Sequence, residues 1–274
     1  MLFRSIGGLV GRAEAWGPFE ADWQEVINDF RPHGLSAFHA AACEVGEEDF
    51  ANISRPIREA ISQRFARVIA KHTDLRPFWS AVVNADWLAG TDDEFRERYE
   101  RPFGLCWEWC VQQVAGWSKN YAESEPVSVF WSEQNDEAER MAEVFGYYQR
   151  HKRFSPLKSL KFASYRDVLP LQGADLLATE IMRSWRNKCW DQLMDRPEIK
   201  ALLNGRGLHL GGCYDRAALE TATRQFRAEI NAAAAAEKKA IADKAAKELA
   251  AAKEKELADL RARDRKSTRL NSSH

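Results

Sequence analysis

Hydrophobic positions along the first 216 residues follow two alternating rhythms. Residues 2–10 read as a strand that ends in a Gly-containing turn, with Gly7, Gly8 and Gly11 beside Leu9 and Val10. Trp16, Phe19, Trp23, Val26, Ile27 and Phe30 then recur at spacings of three and four, which predicts an amphipathic helix stopped by Arg31-Pro32-His33-Gly34. After a short segment, 35–39, and an acidic loop, Ile57, Ile61, Phe65, Val68 and Ile69 fall on one face of a helix over 56–72. Residues 77–83 read as a buried strand. A helix over 92–120, interrupted near Pro102 and Gly104, turns Trp107, Val111, Val114 and Trp117 inward. The clearest strand is 127–131, bounded by Pro126 and a polar run; helix follows over 137–150, strand over 160–164 and helix over 171–188. Strands alternating with helices predict an α/β or mixed layered structure, and no internal repeat is visible.

The rhythm changes after residue 216. Residues 217–263 contain no Gly or Pro, carry an Ala run at 232–236, and place opposite charges four apart, as in Asp243/Lys247 and Asp259/Arg263. They predict one long Ala/Lys/Glu-rich helix, about 70 Å if unbroken at roughly 1.5 Å per residue. Its sparse apolar positions sustain no heptad, so a solvated arm or a weak self-associating coil is expected. Residues 264–274 are polar and aperiodic. One codon choice for them reads as a common sequencing-library adapter in frame, and they are expected to be a non-native tail.

Composition narrows the function. With 274 residues, 45% of them apolar, the chain can fill a real core. The net charge of −1 conceals an uneven distribution. Residues 217–263 hold ten basic and eight acidic groups and 264–274 hold three and one, leaving 27 against 32, or −5, for residues 1–216. That body has no strong electrostatic footprint for nucleic acid. Five scattered cysteines, at 43, 106, 110, 189 and 213, do not form a secreted disulfide framework. No leader and no membrane-length apolar run is present, so a cytoplasmic protein without a membrane partner is expected.

Few residues suggest chemistry. Cys106 and Cys110, with His39 and Cys43, offer zinc four ligands on helical spacing, but buried packing thiols are the simpler reading. The ten tryptophans fall mostly on apolar stripes and are expected in the core. The informative stretch is Leu169-Pro170-Leu171-Gln172-Gly173-Ala174-Asp175-Leu176-Leu177-Ala178. Gln172 and Asp175 share one face at the start of a helix, where the dipole favours an anion. A carboxylate within so apolar a run needs a hydrogen bond or a cation, which leaves two roles open, helix cap or metal ligand.

That stretch, with the strand and loop from Lys161 to Pro170 before it, resembles the closing motif of the family catalogued as domain of unknown function 3800. Gly7-Gly8-Leu9-Val10 followed by Trp16-x-x-Phe19-x-x-Asp22-Trp23, then Phe38-His39 with Cys43-Glu44, and the strand Val127–Trp131 running into Ser132-Glu133-Gln134, fit in order. The resemblance covers residues 3–187. It implies a ribonuclease-H-like mixed sheet flanked by helices and two-metal phosphodiester hydrolysis with Mg²⁺ or Mn²⁺. Asp175 would be a metal ligand, Gln172 would orient it or the substrate, and Glu133 would be a second carboxylate. The chain departs from the family pattern in two places. The opening strand with its acidic pair is missing, and Ser132 stands where the pattern places Asp. The resemblance therefore implies a fragment, 1–216, that lacks its first strand and folds around an incomplete site.

The leading expectation is thus a metal-dependent nuclease, inactive in this form. Arg183, Arg186 and Lys188, just after the motif, are the candidates for a local basic groove toward nucleic acid. The competing expectation is a non-catalytic binding or scaffolding protein with the same fold, self-associating through the C-terminal helix. Glu180 with Asp175 could serve another hydrolytic site, yet no Ser-His or Cys-His pairing supports covalent catalysis. His39 reads as a base, a ligand or a satisfied structural histidine.

Overall fold

The computed structural model describes residues 3–133, 138–150, 154, 156–186 and 210–271. Strand β1 (Phe3–Val10) pairs antiparallel with β2 (Arg76–Val83), Ile6 lying opposite Ser80 and Val10 opposite Arg76. β5 (Leu210–Tyr214) adds in parallel to the other edge of β2, so β2 is the central strand and is buried from Trp79 onward. β3 (Val127–Ser132) and β4 (Leu157–Ala163) form a separate parallel pair with Ser132 opposite Ala163. The molecule is mixed α/β with small sheets flanked by helices. Where one mixed sheet is expected, the described strands make two, because β1 and β3 each pair on one side only.

Helix α1 (Ala13–Phe30) buries Phe19, Trp23, Val26 and Ile27, four of the six positions its spacing marks, and ends in a 3-10 turn closed by Gly34 at φ +97°. α3 (Arg55–Lys71) buries Ile61, Phe65, Val68 and Ile69. These two faces meet Trp79 and Ala81 of β2 and Leu176, Leu177 and Ile181 of α8 (Leu169–Arg186) in the principal core. Trp23 and Phe38 both lie 4.4 Å, centroid to centroid, from Phe65. Each such side chain contributes about 1.5–3 kcal/mol through the area it removes from water. Trp23, Trp79 and Trp107 are core residues, so packing accounts for them as the apolar stripes predict.

On the other side of the first sheet lies α6 (Pro102–Tyr121), which buries Trp107, Val111, Val114 and Trp117. The interruption before it is real. Asp92 caps α5 (Asp93–Tyr99) by accepting the Phe95 N–H at 2.8 Å; Glu100 at φ +53° then turns the chain, and Pro102 restarts it where a missing N–H costs nothing. α7 (Ala138–Arg150) covers β4 with Met141, Phe145 and Tyr148. The pattern does not predict α2 (Ala40–Val45), α4 (Asn84–Gly90) or β5. The two helices are too short to display a period, and β5 carries two glycines.

The chain divides into two compact units, Met1–Glu220 and Thr221–His274. α9 (Arg216–Asn271) continues past residue 263, through a stretch that contains no Gly or Pro to stop it. Within the second unit Ile241 and Leu249 are more than half exposed. Among the described residues, no helix is long and apolar enough to cross a membrane.

Candidate functional site

The Gln172/Asp175 face opens α8, whose first turn accommodates Pro170. Gln172 is fully buried, and both ends of its amide are hydrogen-bonded. Its Oε1 accepts the Trp23 indole N–H and the Phe38 backbone N–H, each at 2.9 Å, and its Nε2 donates to the Tyr165 carbonyl at 2.9 Å. Both carbonyl lone pairs are therefore used inside the fold, and the side chain fastens α1, the segment before α2 and the β4–α8 loop to one point.

Asp175 lies one turn further on. Its Oδ2 accepts the N–H of Ala40, the first residue of α2, at 2.7 Å. The carboxylate thus caps a helix that is not its own and meets an unsatisfied donor there. Burial pushes its pKa above the ordinary value of 3.8. The Ala40 N–H, nearby His39 and the Thr179 hydroxyl pull it down, and Glu48 pushes it up.

Around this carboxylate the structure assembles residues that the spacing does not reveal. Glu48 opens the 3-10 turn Glu48–Phe50 at φ +52°, a left-handed conformation that strains a side-chain-bearing residue. Its Oε1 lies 3.1 Å from His39 Nδ1, and its Oε2 accepts the Tyr165 hydroxyl at 3.3 Å. The His39 and Tyr165 rings pack at 5.5 Å. Beside them Asp49 Oδ2 accepts the backbone N–H and hydroxyl of Ser36 and the Ala37 N–H at 2.6–3.1 Å, and Arg166 donates to the Ser36 hydroxyl at 3.0 Å. Burial pushes the Asp49 carboxyl up, but these donors outweigh it and hold the pKa below 3.8. The acidic loop at 44–49 and the Tyr165-Arg166 pair just before the motif were the available signals.

Glu133 sits just past β3, exposed, with its backbone N–H donating to the Ala163 carbonyl at 3.1 Å. Ala163 packs with Tyr165 and Leu171, so Glu133 and Asp175 belong to the same end of the domain. They share an end, not a ligand shell. Among the described residues no group of three or more His, Cys, Asp or Glu side chains is placed to hold a metal ion. The described residues place Asp175 beside His39 and Glu48, an incomplete shell for a divalent cation.

Arg183 bridges Glu44 at 3.1 Å and Glu180 at 2.9 Å. The side chain of Arg186, Lys188 and Cys189 lie outside the described residues. Cys43 faces inward from α2 and donates to the Arg58 carbonyl at 3.5 Å, while Cys106 and Cys110 are buried on α6. Burial pushes the Cys43 and Cys106 thiols up to about 12, which keeps them neutral at physiological pH. His39 is tied through Nδ1 to Glu48 at 3.1 Å. Comparison of the chain with family models, with curated proteins and with solved structures returns no match in any of the three.

Proposed function

We propose that residues 1–216 are a ribonuclease-H-like domain of the domain-of-unknown-function-3800 kind, and that its activity is metal-dependent phosphodiester hydrolysis on nucleic acid, with Mg²⁺ or Mn²⁺, centred on Asp175. The observation that carries this reading is the condition of Asp175: a shielded carboxylate at the start of α8 with burial raising its proton affinity. Such a group costs stability as an anion, and a nearby cation would offset that cost.

The two sheets support the same reading. α8 packs on β1 and also reaches β3, and among the described residues each of these strands pairs on one side only. The family resemblance implies an acidic strand ahead of the Gly7-Gly8 strand in sequence, and in this reading its carboxylates would join Asp175. No hydrolytic step is assigned to the described residues alone. In this reading Gln172 positions the first turn of α8, and Asp175 and Glu133 are the carboxylates that would hold the metal.

A second reading, a non-catalytic binding or scaffolding protein, draws on a different observation: Gln172 and Arg183 are already committed within the fold. Self-association through the C-terminal helix belongs to that reading. Titration of Mn²⁺ into the isotope-labelled chain separates the two. Paramagnetic broadening that begins at the amides of Ala40 and residues 174–176, and is lost in Asp175→Asn, supports the metal reading. Broadening that passes these amides by, or survives the substitution, assigns the motif to structure and favours the scaffold.

A further inference from the structure

A cleft of about 410 Å³ opens where the exit of β1, the start of α1, the α3–β2 turn and the end of α6 meet. Its volume suits a small ligand. Four carboxylate or guanidinium side chains line it: Arg12, Arg76, Glu14 and Asp74. Glu14 and Asp74 are exposed and solvated, so they need no counter-charge. Arg12 is also exposed, and it is anchored by donating to the Tyr121 carbonyl at 3.1 Å. His72 faces the cleft but shares Asp22 with Lys71, which consumes the carboxylate closest to it. Arg76 alone is half-buried and has no ion pair and no side-chain hydrogen bond among the described residues. A guanidinium with none of its five donors engaged, at the wall of a cleft, is a ready fork for a carboxylate.

The walls say what kind of anion. Trp117 and Tyr121 bring two rings to the cleft, with Pro18 opposite in sequence at the start of α1. Flat apolar groups gain area and ring contacts there. The carboxylates Glu14 and Asp74 repel an anion in proportion to its charge, which favours a single negative charge over two or more. We propose that this cleft is a binding site for a small aryl monocarboxylate, its carboxylate held by Arg76 and its ring by Trp117 and Tyr121. The site is independent of the Asp175 end and of the function proposed for it.

Calorimetric titration of the full chain with 2-naphthoate tests the assignment, with inorganic phosphate, adenosine monophosphate and neutral 2-naphthol as the other arms. Saturable binding of 2-naphthoate is expected, weakened roughly tenfold or more in Arg76→Met and by less in Arg76→Lys, as loss of a charge-assisted hydrogen bond implies. The melting temperature of each variant, measured in parallel, confirms that it is folded. Three results overturn the proposal: no saturable binding of 2-naphthoate, equal binding by a folded Arg76→Met, or equal binding of 2-naphthol. Preference for phosphate or adenosine monophosphate over 2-naphthoate also overturns it and makes the cleft a phosphate site.

Discussion

The indole N–H of Trp23 donates to Oε1 of Gln172 across 149 residues of sequence, at 2.9 Å and out of contact with water. The same oxygen accepts the Phe38 N–H, and the amide nitrogen serves the Tyr165 carbonyl. Gln172→Ala therefore strands two donors and one acceptor in the interior. At about 1–3 kcal/mol for each unsatisfied group, the loss is expected to be about 3 kcal/mol or more. Urea unfolding measures it, and a loss below about 1 kcal/mol, the scale of one ordinary hydrogen bond, would contradict the central role given to this amide.

A second contact fixes how closely α8 approaches the sheet. A Cβ added at Gly7 would lie 2.7 Å from the Ala178 backbone nitrogen and 3.0 Å from its Cα, and the Ser5 hydroxyl reaches the Ala178 carbonyl at 3.4 Å. Backbone cannot yield as a flexible side chain does. Gly7→Ala is expected to destabilise by about 2 kcal/mol through overpacking. Thermal unfolding of Gly7→Ala beside Gly17→Ala, where an added methyl meets nothing within 4 Å, checks the cause. Equal losses at the two sites would sink the explanation.

These two contacts also show what was legible in the sequence. The long helices were, because Phe19/Trp23/Ile27 and Ile61/Phe65/Val68 repeat often enough to define a face. The strands 77–83 and 127–131 were, since both are apolar runs with clear boundaries. The Gln172/Asp175 spacing pointed to an important helix start, but the partners Trp23, Phe38 and Ala40 are 134 to 149 residues away, and periodicity carries no such information. Glu48 was illegible for another reason: its position depends on a left-handed backbone that an ordinary glutamate does not announce. The division of the strands into two sheets depends on which edges pair, and local pattern is silent on that.

Asp175 makes a pH-dependent prediction. Its folded carboxyl holds a proton more tightly than the unfolded one does, chiefly through burial. Stability from this group is therefore fully present below the unfolded value near 3.8 and is lost as the pH rises through the raised folded value. Asn has no such charge, and its side-chain oxygen can still accept the Ala40 N–H. Asp175→Asn should thus be as stable as the parent in acid and more stable at neutral pH. Asp175→Ala removes the acceptor and should lose about 1 kcal/mol. Melting curves at both pH values decide the matter. A neutral-pH loss in Asp175→Asn would mean that the charge itself serves the fold, and it would remove the argument that a cation is needed.

Arg183 offers the last test, and it bears on whether the residues after the motif hold nucleic acid. Glu180 is almost wholly buried, and its Oε1 receives Arg183 at 2.9 Å, while the other branch of the guanidinium meets Glu44 at 3.1 Å. A phosphate would have to compete with both carboxylates for the same group. Arg183→Met is accordingly expected to act on stability, by about 3 kcal/mol, because it leaves the Glu180 charge without this cation. Adding Glu180→Leu to that variant should return much of the loss, since the buried charge is then gone. If Arg183→Met unfolds no more readily than the parent and instead weakens binding of a single-stranded oligonucleotide, Arg183 belongs to a basic groove after all.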